Sequence, residues 1–304
     1  MWPALGFNCF HWQAVVAGRT LDLLYADSNL FGEGRPTRSG IPILFPFPNR
    51  IRDGRFHWEG KDYQLPRTDH IQKHAIHGFA CRRAWRVVEQ GADEGGAWLT
   101  GAFRASVDAV DCVPLWPADY EIRVTYLLGA NRLRVTAEVT NPDTVSLPFG
   151  LGYHPYFRLP FVHGVAAADC TVSVPAASFW DLTDCLPNGP RRAVDAARDL
   201  NVMRSFPDLN LDDVLTDLPA VPPGQEGLIE RARLVGGPGV ELRLECSPDF
   251  REMVVFTPGN REAFCVEPYT CTTDAVNLQQ QGIDAGWKTL PPGGRWSGVF
   301  EMRV

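Results

Sequence analysis

The sequence predicts an all-β protein, a large antiparallel sandwich, on three observations. Apolar and polar residues alternate with period two along several segments, as they do where strand side chains point to opposite faces in turn. No segment sustains an i, i+3, i+4 apolar stripe of useful length. The 304 residues include 28 glycines and 25 prolines, scattered rather than periodic, which favours many turns over long helices. Apolar residues make up 45% of the chain, enough for a sizeable core. Since β-rich folds of this length form single units, one domain over residues 1–304 is expected.

Taken in chain order, residues 21–25 and 85–88 are short apolar runs that read as strands. Residues 90–101 are rich in glycine and polar side chains and read as a surface loop. Tyr120, Ile122, Val124 and Tyr126 then alternate with Glu121, Arg123 and Thr125. After a turn at Gly129-Ala130-Asn131, Leu133, Val135, Ala137 and Val139 alternate with Arg134, Thr136 and Glu138. That is a hairpin closed at Asn141-Pro142. Residues 207–218 hold the best short helical stretch, and 218–227 a second surface loop. Val240, Leu242, Leu244 and Cys246 form another alternating strand, with 253–256 and 263–266 following it. Trp296, Gly298, Phe300 and Met302 give the last one.

Composition excludes several function classes. Lysine and arginine number 29 against 36 aspartates and glutamates, a net charge of −7, which argues against a nucleic-acid partner. The first ten residues lack a charged stretch followed by an apolar one, and no run of about 18 apolar residues occurs, so a soluble, cytoplasmic protein without a membrane partner is expected. The eight cysteines form no Cys-x-x-Cys pair and read as reduced, buried thiols. Gly-x-x-x-x-Gly-Lys-Ser/Thr, a helix-opening Gly-x-Gly-x-x-Gly and His-Glu-x-x-His are all absent.

Four segments place an ionisable residue in an apolar, turn-rich setting. The run 41–51 delivers Asn49 and Arg50 at the end of a proline-punctuated apolar stretch, where a guanidinium is either paired or aimed into a cleft. His74-Ala-Ile-His77-Gly-Phe79 holds two imidazoles three apart, but the glycine and the missing third ligand argue against a metal, so none is expected. His77 beside Gly78 suits a place where something approaches the backbone closely. His154 sits among aromatics and glycines in Gly-Tyr-His-Pro-Tyr-Phe, as a satisfied core histidine or beside an aromatic platform for a sugar ring. Glu267 ends a buried-looking strand in Val-Glu-Pro-Tyr, either exposed at the strand end or tuned by partners.

Together these segments, with Trp116-Pro117, Asn141-Pro142 and Leu211-Asp-Asp-Val-Leu215, resemble the aldose 1-epimerases, or mutarotases, and their hexose-phosphate epimerase relatives over nearly the whole chain. The resemblance implies a large β-sandwich with a shallow sugar cleft and an acid–base exchange of α and β anomers needing no cofactor. It implies Glu267 as base, His154 as acid at the ring oxygen and His77 as a second imidazole there. Arg50, Asn49 and Asp212 are the implied sugar-binding residues, with Asp213 competing for the role of Asp212. His77 is followed by Gly-Phe rather than Gly-Gly and His154 by Pro-Tyr-Phe rather than a small polar residue, which leaves the sugar open. A hexose 6-phosphate would need converging cations, which Arg82 and Arg83 could supply. A non-catalytic carbohydrate-binding protein would keep the platform without the acid–base pair, and a glycoside hydrolase would need two carboxylates, which Glu267 and Asp212 could imitate. The expected partner is a small-molecule sugar, and the chain a monomer or homodimer.

Overall fold

The computed structural model describes residues 1–33, 36–221 and 227–304. Two antiparallel sheets carry the architecture. The first has nine strands in the order Arg204–Ser205, Thr171–Ser173, Ile229–Val235, Glu241–Cys246, Arg295–Arg303, Arg132–Thr140, Glu121–Gly129, Gly96–Arg104 and Arg86–Asp93. The second has eight, running Leu186–Ala193, Ser178–Thr183, Asp212–Thr216, Glu252–Phe256, Ala263–Tyr269, Gly152–Tyr153 and Ile43–Leu44, with Tyr156–Arg158 also paired to Ala263–Tyr269.

The expected hairpin forms in a register set by its apolar face: Ile122 opposes Val139, Val124 opposes Ala137 and Tyr126 opposes Val135, all buried. Asn131 takes a positive φ of 65° in the two-residue turn. The core fills the space between the sheets. Ile122, Val135 and Phe300 come from one side, and Leu215, Met253, Val255, Phe264 and Val266 from the other. Tyr153 and Phe300 meet across it with ring centroids 4.6 Å apart.

Two sequence expectations fail locally. Residues 207–218 are not helical: after a single 3-10 turn at Phe206–Asp208 they form the strand Asp212–Thr216, paired on both sides. Val214, Leu215 and Thr216 are consecutively buried because this strand is covered on both faces, which erases the alternation that would have revealed it. Residues 90–101 are not a loop but most of a hairpin, Arg86–Asp93 with Gly96–Arg104. The outer strand lies at the sheet edge with nearly every residue exposed, so it too carries no apolar period. The second expected loop, 218–227, falls partly outside the described residues. All eight cysteines are free, and seven are buried.

Two motifs of the resemblance serve the scaffold. Buried Asn141 donates from Nδ2 to the carbonyls of Val145 and Leu290 and accepts from Asp143 N–H, tying the hairpin end to the C-terminal region. Trp116 donates from Nε1 to the Pro148 carbonyl at 2.9 Å and stacks on Phe47 at 5.6 Å, bracing the proline-rich run from behind.

Candidate active site

Strand Ala263–Tyr269 builds the floor of the site by period alone. Phe264 and Val266 enter the core between the sheets, so Cys265, Glu267 and Tyr269 point to the outer face. Register places Val254 beside Glu267, and Asp212 beside Phe256, one strand further out. A cleft of about 1000 Å³ opens on this face, lined by Asp212, Val254, Phe256, Glu267 and Tyr269. Asn49, Arg50, Asp69, His77, His154 and Tyr156 close the other side.

The proline-rich run and the His77 loop are joined by a two-residue ladder, Arg50–Ile51 with Ala75–Ile76, and His77 N–H donates to the Asn49 carbonyl at 2.8 Å. The close approach expected at Gly78 is made by the protein itself. Gly78 has φ +64°, and a Cβ there would lie 2.2 Å from the Phe45 carbonyl oxygen. Gly78→Ala is therefore expected to destabilise the fold by at least about 2 kcal/mol, read as a lower urea midpoint at unchanged m. An unaltered midpoint would show that the loop tolerates a side chain.

At the centre, His154 Nε2 lies 3.2 Å from Glu267 Oε1, with Glu267 1% and His154 7% exposed. Tyr269 Oη donates to Glu267 Oε2 at 2.5 Å. Tyr156 stacks flat on the His154 ring at 4.6 Å, and its hydroxyl donates to the Thr37 carbonyl. The His77 ring stands 5.9 Å from that of His154, and His77 Nδ1 is buried with no hydrogen-bond partner among the described residues. Arg50 reaches Asn49 Oδ1 at 3.1 Å and Asp69 Oδ2 at 3.9 Å.

Burial dominates the electrostatics. It drives the Glu267 carboxyl well above the usual carboxylate range; the Tyr269 hydrogen bond opposes this, Asp212 adds to it and Arg50 opposes it. Burial also pulls His154 down to about 3, and His77 well below its ordinary value with help from His154, Arg50 and Arg82. Burial therefore disfavours charge on both members of the central pair, which favours a single proton shared between them. Losing the Tyr269 hydroxyl removes a bond to the charged form of Glu267. Tyr269→Phe is expected to cut kcat about 10- to 150-fold with KM preserved, from the roughly 1.5–3 kcal/mol such a bond supplies. An unchanged kcat in steady-state kinetics would remove Tyr269 from the machinery.

Six residues singled out from sequence, Asn49, Arg50, His77, His154, Asp212 and Glu267, line this one cleft. Asp213 does not: it receives Arg198 Nε at 2.6 Å, so Asp212 is the aspartate on the cleft wall. His74 stays outside, accepting Asp53 N–H on Nδ1 at 3.0 Å. Arg82 lines the cleft, whereas Arg83 is ion-paired with Asp111. Sequence reasoning assigned no role to Tyr269, Asp69 or Arg38, and Tyr156 entered it only among the aromatic neighbours of His154. The tyrosines were within reach of it, each two residues from a named one: Tyr269 follows Glu267 on one strand, and Tyr156 opens the strand just after His154. Asp69 and Arg38 come from turns whose sequence carries no such period.

A family model described as aldose 1-epimerase matches residues 19–303. The Escherichia coli protein YphB, uncharacterised, is 31% identical over 137 residues, which span 45% of this chain and 41% of that protein, under half its length. A galactose mutarotase-like protein of Clostridium acetobutylicum superposes with TM-score 0.83 at 23% identity, covering 99% of this chain and 90% of its own. A GalM/aldose epimerase homologue of Caenorhabditis elegans does so with TM-score 0.78 at 19% identity, covering 99% and 93%. The two structures share the fold, and with the family model matching almost end to end, the chain belongs to the aldose 1-epimerase family.

Proposed function

We propose that the protein is an aldose 1-epimerase that interconverts the α and β anomers of a hexose by opening and reclosing the ring. The observation that carries this reading is the carboxyl–imidazole contact of Glu267 and His154 on the floor of a sugar-sized cleft. With the proton they share passed to His154 across their contact, Glu267 takes the proton from the anomeric hydroxyl O1 as His154 gives its own to the ring oxygen O5. The C1–O5 bond breaks and C1 becomes an aldehyde carbon. Rotation about C1–C2 presents its other face; O5 then attacks C1, returning its proton to His154 while Glu267 returns the other to O1. No proton or electron is gained or lost over the cycle. His77 and Arg50 hydrogen-bond sugar oxygens, Asp212 and Asn49 grip hydroxyls, and Phe256 with Tyr156 offers apolar surface to the ring.

The test is polarimetric. Freshly dissolved α-glucose and α-galactose are expected to equilibrate faster with the purified protein than in buffer, and equal rates for both sugars would reject the reading. A second reading, epimerisation of a hexose 6-phosphate, is favoured by one feature. The short turns Pro36–Arg38 and Ala80–Arg82 pack together, and each ends in an exposed arginine that lines the cleft. Arg38 acts on Tyr156 and Arg82 on His77, so both cations flank the side assigned to O5, next to which the exocyclic carbon of a hexose projects. Glucose 6-phosphate run in the same assay separates the two readings by kcat/KM.

A further inference from the structure

A third donor adjoins the Glu267–His154 pair, and ring opening does not use it. Cys265 stands two residues before Glu267 on the same face of strand Ala263–Tyr269 and is fully buried. One donor atom from each of His154, Cys265 and Glu267 lies within 4.8 Å of the other two. Among the described residues no other group of three histidine, cysteine or acidic side chains has this spacing. The 3.2 Å between His154 Nε2 and Glu267 Oε1 matches the edge of about 3.3 Å spanned by two ligands at roughly 2.0–2.1 Å around a tetrahedral zinc ion.

We propose that the cleft floor is a reversible inhibitory site for a thiophilic divalent cation, with zinc held by His154, Cys265 and Glu267. Binding rests on this geometry alone; inhibition rests on the epimerase reading. A nitrogen, a sulfur and an oxygen donor suit Zn²⁺ and Co²⁺ and disfavour Mg²⁺ and Ca²⁺, which prefer all-oxygen shells. Seating the ion expels two protons, the thiol proton of Cys265 and the one shared by His154 and Glu267. No electron moves. Zn²⁺ with one thiolate, one carboxylate and a neutral imidazole sums to zero, so the buried site gains no net charge. Three protein ligands leave the fourth tetrahedral position for water or a sugar hydroxyl on the cleft side. With their lone pairs on the metal, neither Glu267 nor His154 can move a proton to or from a sugar.

The probe is Co²⁺ added to the metal-free full-length chain, read by thiolate-to-cobalt charge-transfer absorption in the near ultraviolet. Wild type is expected to develop the band at one equivalent. Cys185 is the competing thiol, half-buried with Sγ 4.0 Å from Asp212 Oδ2. Cys185→Ser should keep the band, whereas Cys265→Ser and Cys265→Ala should lose it with an unchanged far-ultraviolet circular dichroism spectrum. In polarimetry, Zn²⁺ should slow wild type at least ~10-fold, reversibly with EDTA, and the ratio of rates with and without zinc should approach one in Cys265→Ser. Absence of a stoichiometric band in wild type, its survival in both Cys265 variants, or zinc binding without inhibition overturns the proposal. A wild-type band in a protein that epimerises no sugar even without metal supports the metal seat and rejects the epimerase reading instead.

Discussion

Glu267→Gln is expected to reduce kcat/KM by about 10²–10⁴-fold, the usual contribution of one positioned proton transfer. Glutamine keeps the shape of the side chain and can still accept the Tyr269 hydroxyl, so the fold and the cleft should survive. It cannot take up the O1 proton, because an amide has no basic lone pair to offer at neutral pH. The substitution also removes the proton that Glu267 shares with His154 across 3.2 Å. The imidazole is then left in a pocket that disfavours its charged form, and the acid is weakened along with the base. The loss should therefore appear in kcat, with KM for the sugar changed little, since Arg50, Asn49 and Asp212 remain in place. Initial polarimetric rates across a sugar concentration series measure both constants. A Glu267→Gln protein turning over within threefold of wild type, ~0.6 kcal/mol in barrier, would falsify the assignment of the base.

How much of this was legible beforehand depended on whether burial leaves a period. The hairpin Glu121–Gly129 with Arg132–Thr140 has one buried and one open face, and its alternation names every inward residue. Asp212–Thr216 is buried without interruption from Val214 onward and Arg86–Asp93 scarcely at all. A residue pattern cannot distinguish a strand there from a helix or a loop. The candidate site divides along a similar line. His154 and Glu267 stand out because a titratable group in an apolar segment demands an explanation. What no single segment discloses is their contact, which arises because Tyr156–Arg158 and Ala263–Tyr269 pair in the sheet. Arg38 and Asp69 enter the cleft from turns positioned by distant parts of the chain, and Arg83 left the list only because Asp111 stands beside it.

His154→Ala should be as damaging as the loss of the base, about 10²–10⁴-fold in kcat, while sugar affinity holds, because a proton delivered to O5 counts chiefly in the transition state. The pH dependence separates this role from that of a merely packed imidazole. In wild type, adding a second proton to the pair is opposed by the burial that pulls His154 to about 3. Removing the one it holds is opposed by the burial that pushes Glu267 well above its ordinary range. Both shifts widen the interval in which the pair carries a single proton, so kcat/KM should run flat through about 6.5, where a free imidazole titrates. In His154→Ala the remaining carboxyl keeps its raised affinity for a proton and must lose it before it can act as a base. Its residual rate should therefore climb with pH above the range in which an ordinary carboxyl titrates. A wild-type profile that breaks near 6.5, or a variant whose residual rate ignores pH, contradicts a shared proton as the working element of the site.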